Sequence, residues 1–289
     1  MIYLTGILLF LLLLWLLLLF TTRSFGNRRR SHTKTPADYG ISFMELKIPA
    51  GNDKNLYGWL VPDNEGAPVI ILVHGWGRNV GRTLPYIEAL HGKGYHLLAF
   101  DARNHGNSDR DKYSTMKKFA EDILSVLDYL DGSHLSDSRG YHVLGLSIGG
   151  SAALYAAAHD RRIRSVVTVG ALADPLEIMK KQLAERRIPF IPLGFLILEY
   201  VQWTIGLRFS SIAPEKHIGR VEAELLLIHG EADSTIPVSH ADRLKDAAKG
   251  DQCTLWKIPG REHSDCHLEP GFWTRILEFF SKTELSGRS

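Results

Sequence analysis

Apolar positions fall along this chain in three kinds of run, and each kind predicts a different element. The first is Ile2 to Phe20, nearly unbroken Leu, Ile and Phe with only Tyr3, Thr5, Gly6 and Trp15 between them. As a helix rising about 1.5 Å per residue it would cover roughly 28 Å, close to the hydrocarbon thickness of a bilayer. Residues 1–22 are therefore expected to be one transmembrane helix, a single-pass anchor whose partner is the lipid bilayer. A cleaved signal peptide competes, but it wants a basic start, a shorter apolar core and a small-x-small cleavage site. Phe20-Thr21-Thr22-Arg23-Ser24-Phe25 offers no such site. Arg23, Arg28, Arg29, Arg30 and Lys34 follow the run, which by the positive-inside bias puts the rest of the chain on the cytoplasmic side. Residues 23–38 are polar and basic without an apolar period, and read as a tether.

Runs of the second kind are short. Phe43–Ile48 and Leu56–Val61 alternate around Gly51-Asn52-Asp53, a hairpin pattern. Val69–Val73 and Tyr95–Phe100 are continuously apolar, as strands buried on both faces should be. Tyr141–Leu144, Ser165–Val169, Glu224–Ile228 and Cys253–Ile258 read as four more strands. The third kind has a helical period: residues 81–92, Phe119–Leu130, an Ala-rich segment after Gly149, and Phe272–Phe280. Eight strands with helices alternating after the opening hairpin predict an α/β fold whose mainly parallel sheet is covered on both faces. Ligands of such sheets sit beyond the carboxyl ends of the strands.

Composition adds little beyond exclusions. With 289 residues, 45% hydrophobic, 23% charged and a net charge of +2, the chain is ordinary for a globular protein, so neither disorder nor a nucleic-acid partner is implied. Two cysteines, Cys253 and Cys266, make no disulfide framework.

The chemistry concentrates at Gly145-Leu146-Ser147-Ile148-Gly149, which lies between the Tyr141–Leu144 strand and the Ala-rich helix. A sharp strand-to-helix turn would expose the Ser147 hydroxyl, and Gly145 and Gly149 would supply the space it needs. The first N–H of the following helix, that of Ile148, would point to where negative charge develops during acyl transfer. A serine at this turn argues against epoxide or halide chemistry, which needs a carboxylate there. No dinucleotide fingerprint, Walker loop or zinc-protease helix is present, and no cofactor or metal is expected.

Together with His74-Gly75-Trp76-Gly77, the block from Asp101 to Ser108, the block from His229 to Pro237 and Gly260-Arg261-Glu262-His263, this turn makes residues 39–281 resemble the α/β-hydrolase superfamily, in its serine-hydrolase branch. The resemblance implies Ser147 as nucleophile, His263 as general base and acid, and Asp233 as the carboxylate that orients it. It implies backbone N–H groups of Trp76 and Ile148 as the oxyanion hole. His74, Asp101 and His105 would fix loops rather than react. Glu231 and Asp265 are rivals to Asp233, and His267 to His263. The single His-Gly followed by Trp departs from the longer His-Gly-Gly-Gly of some esterases.

Residues 174–213 interrupt the strand series and read as an inserted helical lid, with residues 282–289 a C-terminal tail. Asp174-Pro175 starts a helix with Leu176, Met179 and Leu183 on one side, followed by an apolar segment from Ile188 to Leu198. Its apolar face either covers the site or also touches the bilayer beside Lys180, Lys181, Arg186 and Arg187. The expected activity is hydrolysis of an ester or thioester of an acyl or lipid-like substrate. The alternatives are amide hydrolysis by the same residues, or a non-catalytic binding protein of the same fold.

Overall fold

The computed structural model describes residues 3–9, 12, 15, 29–137 and 139–286. Within them the short apolar runs all become strands. β1 (Met44–Ala50) and β2 (Lys54–Val61) form the hairpin, and Asn52 and Asp53 in its turn both take positive φ. β3 (Val69–Val73), β4 (His96–Phe100), β5 (Tyr141–Leu146), β6 (Ile163–Val169), β7 (Glu224–Gly230) and β8 (Cys253–Ile258) follow. One sheet holds all eight in the order β1-β2-β4-β3-β5-β6-β7-β8. β2 pairs antiparallel with β1 and β4, and every other pairing is parallel. β3, β4 and β5 are buried along their whole length, which is why their sequences do not alternate.

Helices close both faces. On one side α3 (Met116–Asp131) and α4 (Ile148–Ala157) press Phe119, Ile123, Leu127 and Leu154 onto the sheet. On the other, α2 (Leu84–Leu90) and α9 (Phe272–Ser286) contribute Ile87, Leu90, Phe272, Ile276 and Phe280. The segment expected to be helical over 81–92 is a 3-10 turn, Val80–Thr83, followed by the shorter α2, and two further helix boundaries differ, each for a local reason. α3 begins three residues early because the Thr115 hydroxyl accepts the Lys118 N–H and caps the helix there. α9 runs past Phe280 because its last turns carry polar anchors. The Glu284 carboxylate accepts a 2.7 Å hydrogen bond from His142 Nε2 and is ion-paired with Arg139 and Arg164.

Between β6 and β7 the chain forms α5 (Pro175–Glu185), α6 (Phe195–Ile205) and α7 (Pro214–His217), with no strand among them. The Asp174 carboxylate caps α5 by accepting the Leu176 N–H. Leu183, Ile197, Leu198, Val201, Ile205 and Phe209 pack into a small core of their own. α8 (Ser239–Ala247) completes the layer beside β8.

The amino-terminal segments depart most from expectation. Of the apolar run 2–20, only residues 3–9 (α1), 12 and 15 are described, helical and exposed; the remainder lies outside the described residues. No single described helix is long and apolar enough to cross a membrane. The segment read as a tether is, from residue 29 on, packed against the domain. Arg29 donates to the carbonyls of Gly106 and Ser108, and the Asn79 amide donates to Arg30 O. The His32 ring lies against Tyr57 and Trp59, and Pro36–Tyr39 forms a 3-10 turn. Hydrophobic periodicity does not register such a strap, because backbone carbonyls and ring faces hold it rather than an apolar stripe.

The His142–Glu284 contact locks α9 to the sheet. Burial lowers the pKa of His142, so the ring is neutral; it donates from Nε2 to Glu284 and accepts at Nδ1 from the Ser165 hydroxyl at 2.7 Å. Glu284→Ala would leave this buried ring short of a partner. Urea denaturation should show a loss of about 1–3 kcal/mol, and an unchanged midpoint would contradict the clasp.

Candidate active site

Ser147 ends β5 with φ 55° and ψ −124°, a conformation costly for a residue with a side chain. It is held there by crowding. A Cβ on Gly145 would lie 2.5 Å from the Gly149 carbonyl carbon, and one on Gly149 would lie 2.5 Å from His74 O. Only glycine lets helix α4 start so close to β5 and β3. The loop after β3 leans on the same turn: a Cβ on Gly75 would stand 3.3 Å from that of Ser147.

Two further loops reach this point from β7 and β8. In the turn after β7, Asp233 Oδ1 accepts the N–H groups of Thr235 and Ile236 at 2.9 and 2.8 Å. From the loop after β8, His263 Nδ1 lies 2.7 Å from Asp233 Oδ2, and its Nε2 lies 3.0 Å from Ser147 Oγ. An ionised carboxylate can only accept, so Nδ1 carries the ring proton and Nε2 is free to accept from the hydroxyl. Burial alone would raise the pKa of Asp233, but hydrogen bonds from His229, His263 and the Ile236 N–H overcome it and hold the carboxyl well below the usual range. With the folded pKa depressed, the stability this carboxylate contributes is full above its unfolded pKa near 4. It is lost as the pH falls from there through the folded value.

A cavity of about 560 Å³ opens over Ser147 and His263, with Trp76 and Ile148 also in its wall. That is a size common for small-molecule sites. The N–H groups of Trp76 and Ile148 have no acceptor among the described residues. The segment between β6 and β7 supplies an apolar part of the wall, Ile178, Met179, Val201, Ile205 and Phe209, while Arg78, Arg82 and Lys112 line it elsewhere.

The sheet order, the turn at Ser147 and the loops converging on it can be set beside known proteins. The family model described as alpha/beta hydrolase fold matches residues 68–196. The esterase Pf2001 of Pyrococcus furiosus superposes with a TM-score of 0.72 at 21% identity, over 89% of this chain and 97% of that one. This chain has the alpha/beta hydrolase fold. Among sequence relatives, the serine hydrolase BPHL of Mus musculus is 29% identical over 272 residues, spanning 84% of this chain and 88% of its own. The uncharacterized membrane protein YNL320W of Saccharomyces cerevisiae is 23% identical, over 89% of this chain and 86% of its own.

The remaining residues singled out in the sequence take supporting places around Ser147 and His263. His74 is buried; its Nε2 accepts the Ala102 N–H at 3.0 Å and its Nδ1 donates to Gly75 O at 2.7 Å. Burial pushes its pKa down to about 4. His105 Nε2 accepts the Gly77 N–H at 3.2 Å, and burial together with the neighbouring His74 lowers its pKa to about 3. The buried Asp101 carboxylate accepts the N–H groups of Val80 and Asn107. These three side chains tie the loops after β3 and β4 to each other. Of the rivals, Glu231 is exposed, Asp265 accepts the Glu262 N–H, and the His267 ring lies against Tyr86 and Trp273. None of them reaches Ser147. Both cysteines are free and buried, and burial raises each thiol pKa to about 11.

Two residues with no role assigned from sequence also shape the site. His229, buried at the end of β7, donates from Nε2 to Ile236 O at 2.8 Å with Asp233 Oδ2 only 3.3 Å away. Gly170 follows β6 with φ +67°, and a Cβ there would stand 3.0 Å from His263 Nδ1. The available signals were a His four residues ahead of the carboxylate and a Gly just after a strand; neither is distinctive without coordinates. Gly170→Ala should therefore displace the imidazole as well as strain the backbone. We expect a shifted or lost low-field Nδ1–H proton resonance of His263 and a stability loss of about 1–2 kcal/mol. A spectrum and a denaturation curve that both match wild type would refute the contact.

Proposed function

We propose that this protein is a membrane-anchored serine hydrolase that cleaves carboxylic esters or thioesters through an acyl-enzyme. The observation that carries the reading is the relay from Ser147 through His263 to Asp233, in a cavity with an apolar wall on one side and beside two backbone donors that have no acceptor among the described residues. Ser147 Oγ attacks the substrate carbonyl carbon as its proton passes to His263 Nε2, and Asp233 balances the imidazolium that forms. The carbonyl oxygen becomes an oxyanion held by the N–H groups of Trp76 and Ile148. Collapse breaks the bond to the leaving oxygen or sulfur, which takes the proton from His263. A water then gives its proton to the same nitrogen and attacks the acyl-serine; the second collapse returns that proton to Ser147 Oγ and frees the acid.

In this reading residues 39–281 are the catalytic domain, and residues 174–213 are a lid whose apolar side lines the acyl pocket. Residues 2–20 anchor it to the bilayer, with the domain on the cytoplasmic side. The support is the apolar run itself, the basic residues after it and a yeast relative named as a membrane protein. The substrate is then an acylated, membrane-partitioned molecule.

Wild-type protein should react covalently with a fluorophosphonate probe, and Ser147→Ala should abolish the label. His263→Ala should slow ester turnover by at least about a thousandfold. Absence of a wild-type label, or a label that survives in Ser147→Ala, would overturn the assignment.

A further inference from the structure

The cavity above Ser147 is lined by three cations, Arg78, Arg82 and Lys112, and by no carboxylate. Many other basic side chains of this chain are paired: Arg103 with Asp122, Arg162 with Asp160, Arg243 with Glu177 and Glu215. None of the three at the cavity has an ion-pair partner among the described residues. Nearby carboxylates are engaged elsewhere. Asp111 is committed to Lys118 and Arg103, Glu262 to Ser234, and Asp265 to the Glu262 N–H.

The position of Arg82 gives this charge a direction. Its Nη2 donates to Ser264 O at 3.0 Å, so the guanidinium is fastened to the residue next to His263. An ester's leaving group must lie on the His263 side, because that imidazole protonates it. The acyl chain is left with the other end of the cavity, where Ile178, Met179, Val201, Ile205 and Phe209 form the wall. Arg78 stands one short turn before Arg82 on the same loop, and Lys112 enters from the loop that precedes α3.

Resting on the hydrolase reading above, we propose that the substrate is an acyl ester or thioester whose leaving group is anionic, bearing a phosphate or a carboxylate. An exposed guanidinium and ammonium lose little by waiting in water, and both gain charge-assisted hydrogen bonds when an anion enters. Walls of low dielectric around a one-signed rim also raise the local concentration of anions and orient them. A neutral leaving group would meet only solvated cations. The polarity also sets the binding order: hydrocarbon toward the segment between β6 and β7, charge toward Arg78 and Arg82 in the loop after β3.

The test compares three esters of one fatty acid on the full chain in non-ionic micelles: with glycerol 3-phosphate, with glycolic acid and with glycerol. We expect kcat/KM for at least one anionic ester to exceed the glycerol ester by about tenfold or more, mainly through KM, and the ratio to shrink as salt rises. The phosphate and carboxylate arms identify which anion is read. The double variant Arg78→Gln, Lys112→Gln spares the Arg82–Ser264 contact and should cut that ratio by at least about threefold. Lys93→Gln, at the amino end of β4, should leave the ratio as in wild type. A ratio near one for both anionic esters, or a ratio the double variant does not move, overturns the proposal. Wild-type labelling of Ser147 by an uncharged fluorophosphonate separates the two levels: label with no anion preference sinks only this inference, and no label sinks the hydrolase reading with it.

Discussion

The close approach of helix α4 to strands β3 and β5 is the constraint on which the rest of this molecule depends. Three glycines, 145, 149 and 150, make it possible, and a Cβ on any of them would fall within 3 Å of backbone. The contact does two things at once. It forces Ser147 into a positive-φ turn, and it aims the amino end of α4 at the region where its hydroxyl projects. A looser packing of the same elements would still give a folded sheet, but one in which Ser147 relaxed into an ordinary helix start. Strain at this residue is therefore maintained by the core rather than by the site.

The molecule contains a second serine, histidine and carboxylate in hydrogen-bonded series, and the contrast is instructive. Ser165, His142 and Glu284 are joined by contacts of 2.7 Å, as short as those at Ser147, yet both Ser165 and His142 are wholly buried. There the same chemical groups act as a clasp, because close packing leaves an acyl group no route to the hydroxyl. What distinguishes the two series is the setting: a strained turn, unpartnered N–H groups and a cavity on one side, and close packing on the other.

This contrast also explains which parts were legible in the sequence. Strands buried on both faces announce themselves as unbroken apolar runs, so Val69–Val73 and the others could be read nearly to the residue. The turn at Ser147 was legible because its spacing of glycines has a steric cause. His229 and Gly170 were not, since their importance comes from what a distant loop brings against them. Ser165 and His142 look like unremarkable strand positions, and the clasp appears only when α9 returns. The strap at residues 29–39 was hidden for another reason: polar residues that bind backbone carbonyls leave no period to detect.

That strap has a mechanical consequence. Arg29 is fastened to carbonyls of the loop after β4, on the same carboxyl edge of the sheet as Ser147. Eight residues lie between Phe20 and Arg29, a leash that even fully stretched reaches only about 30 Å. If the apolar run is held in lipid as proposed, the mouth of the cavity would be moored near the headgroups by its own edge, not swung out on a long arm. An amphiphile could then pass from leaflet to pocket with its tail shielded for most of the way.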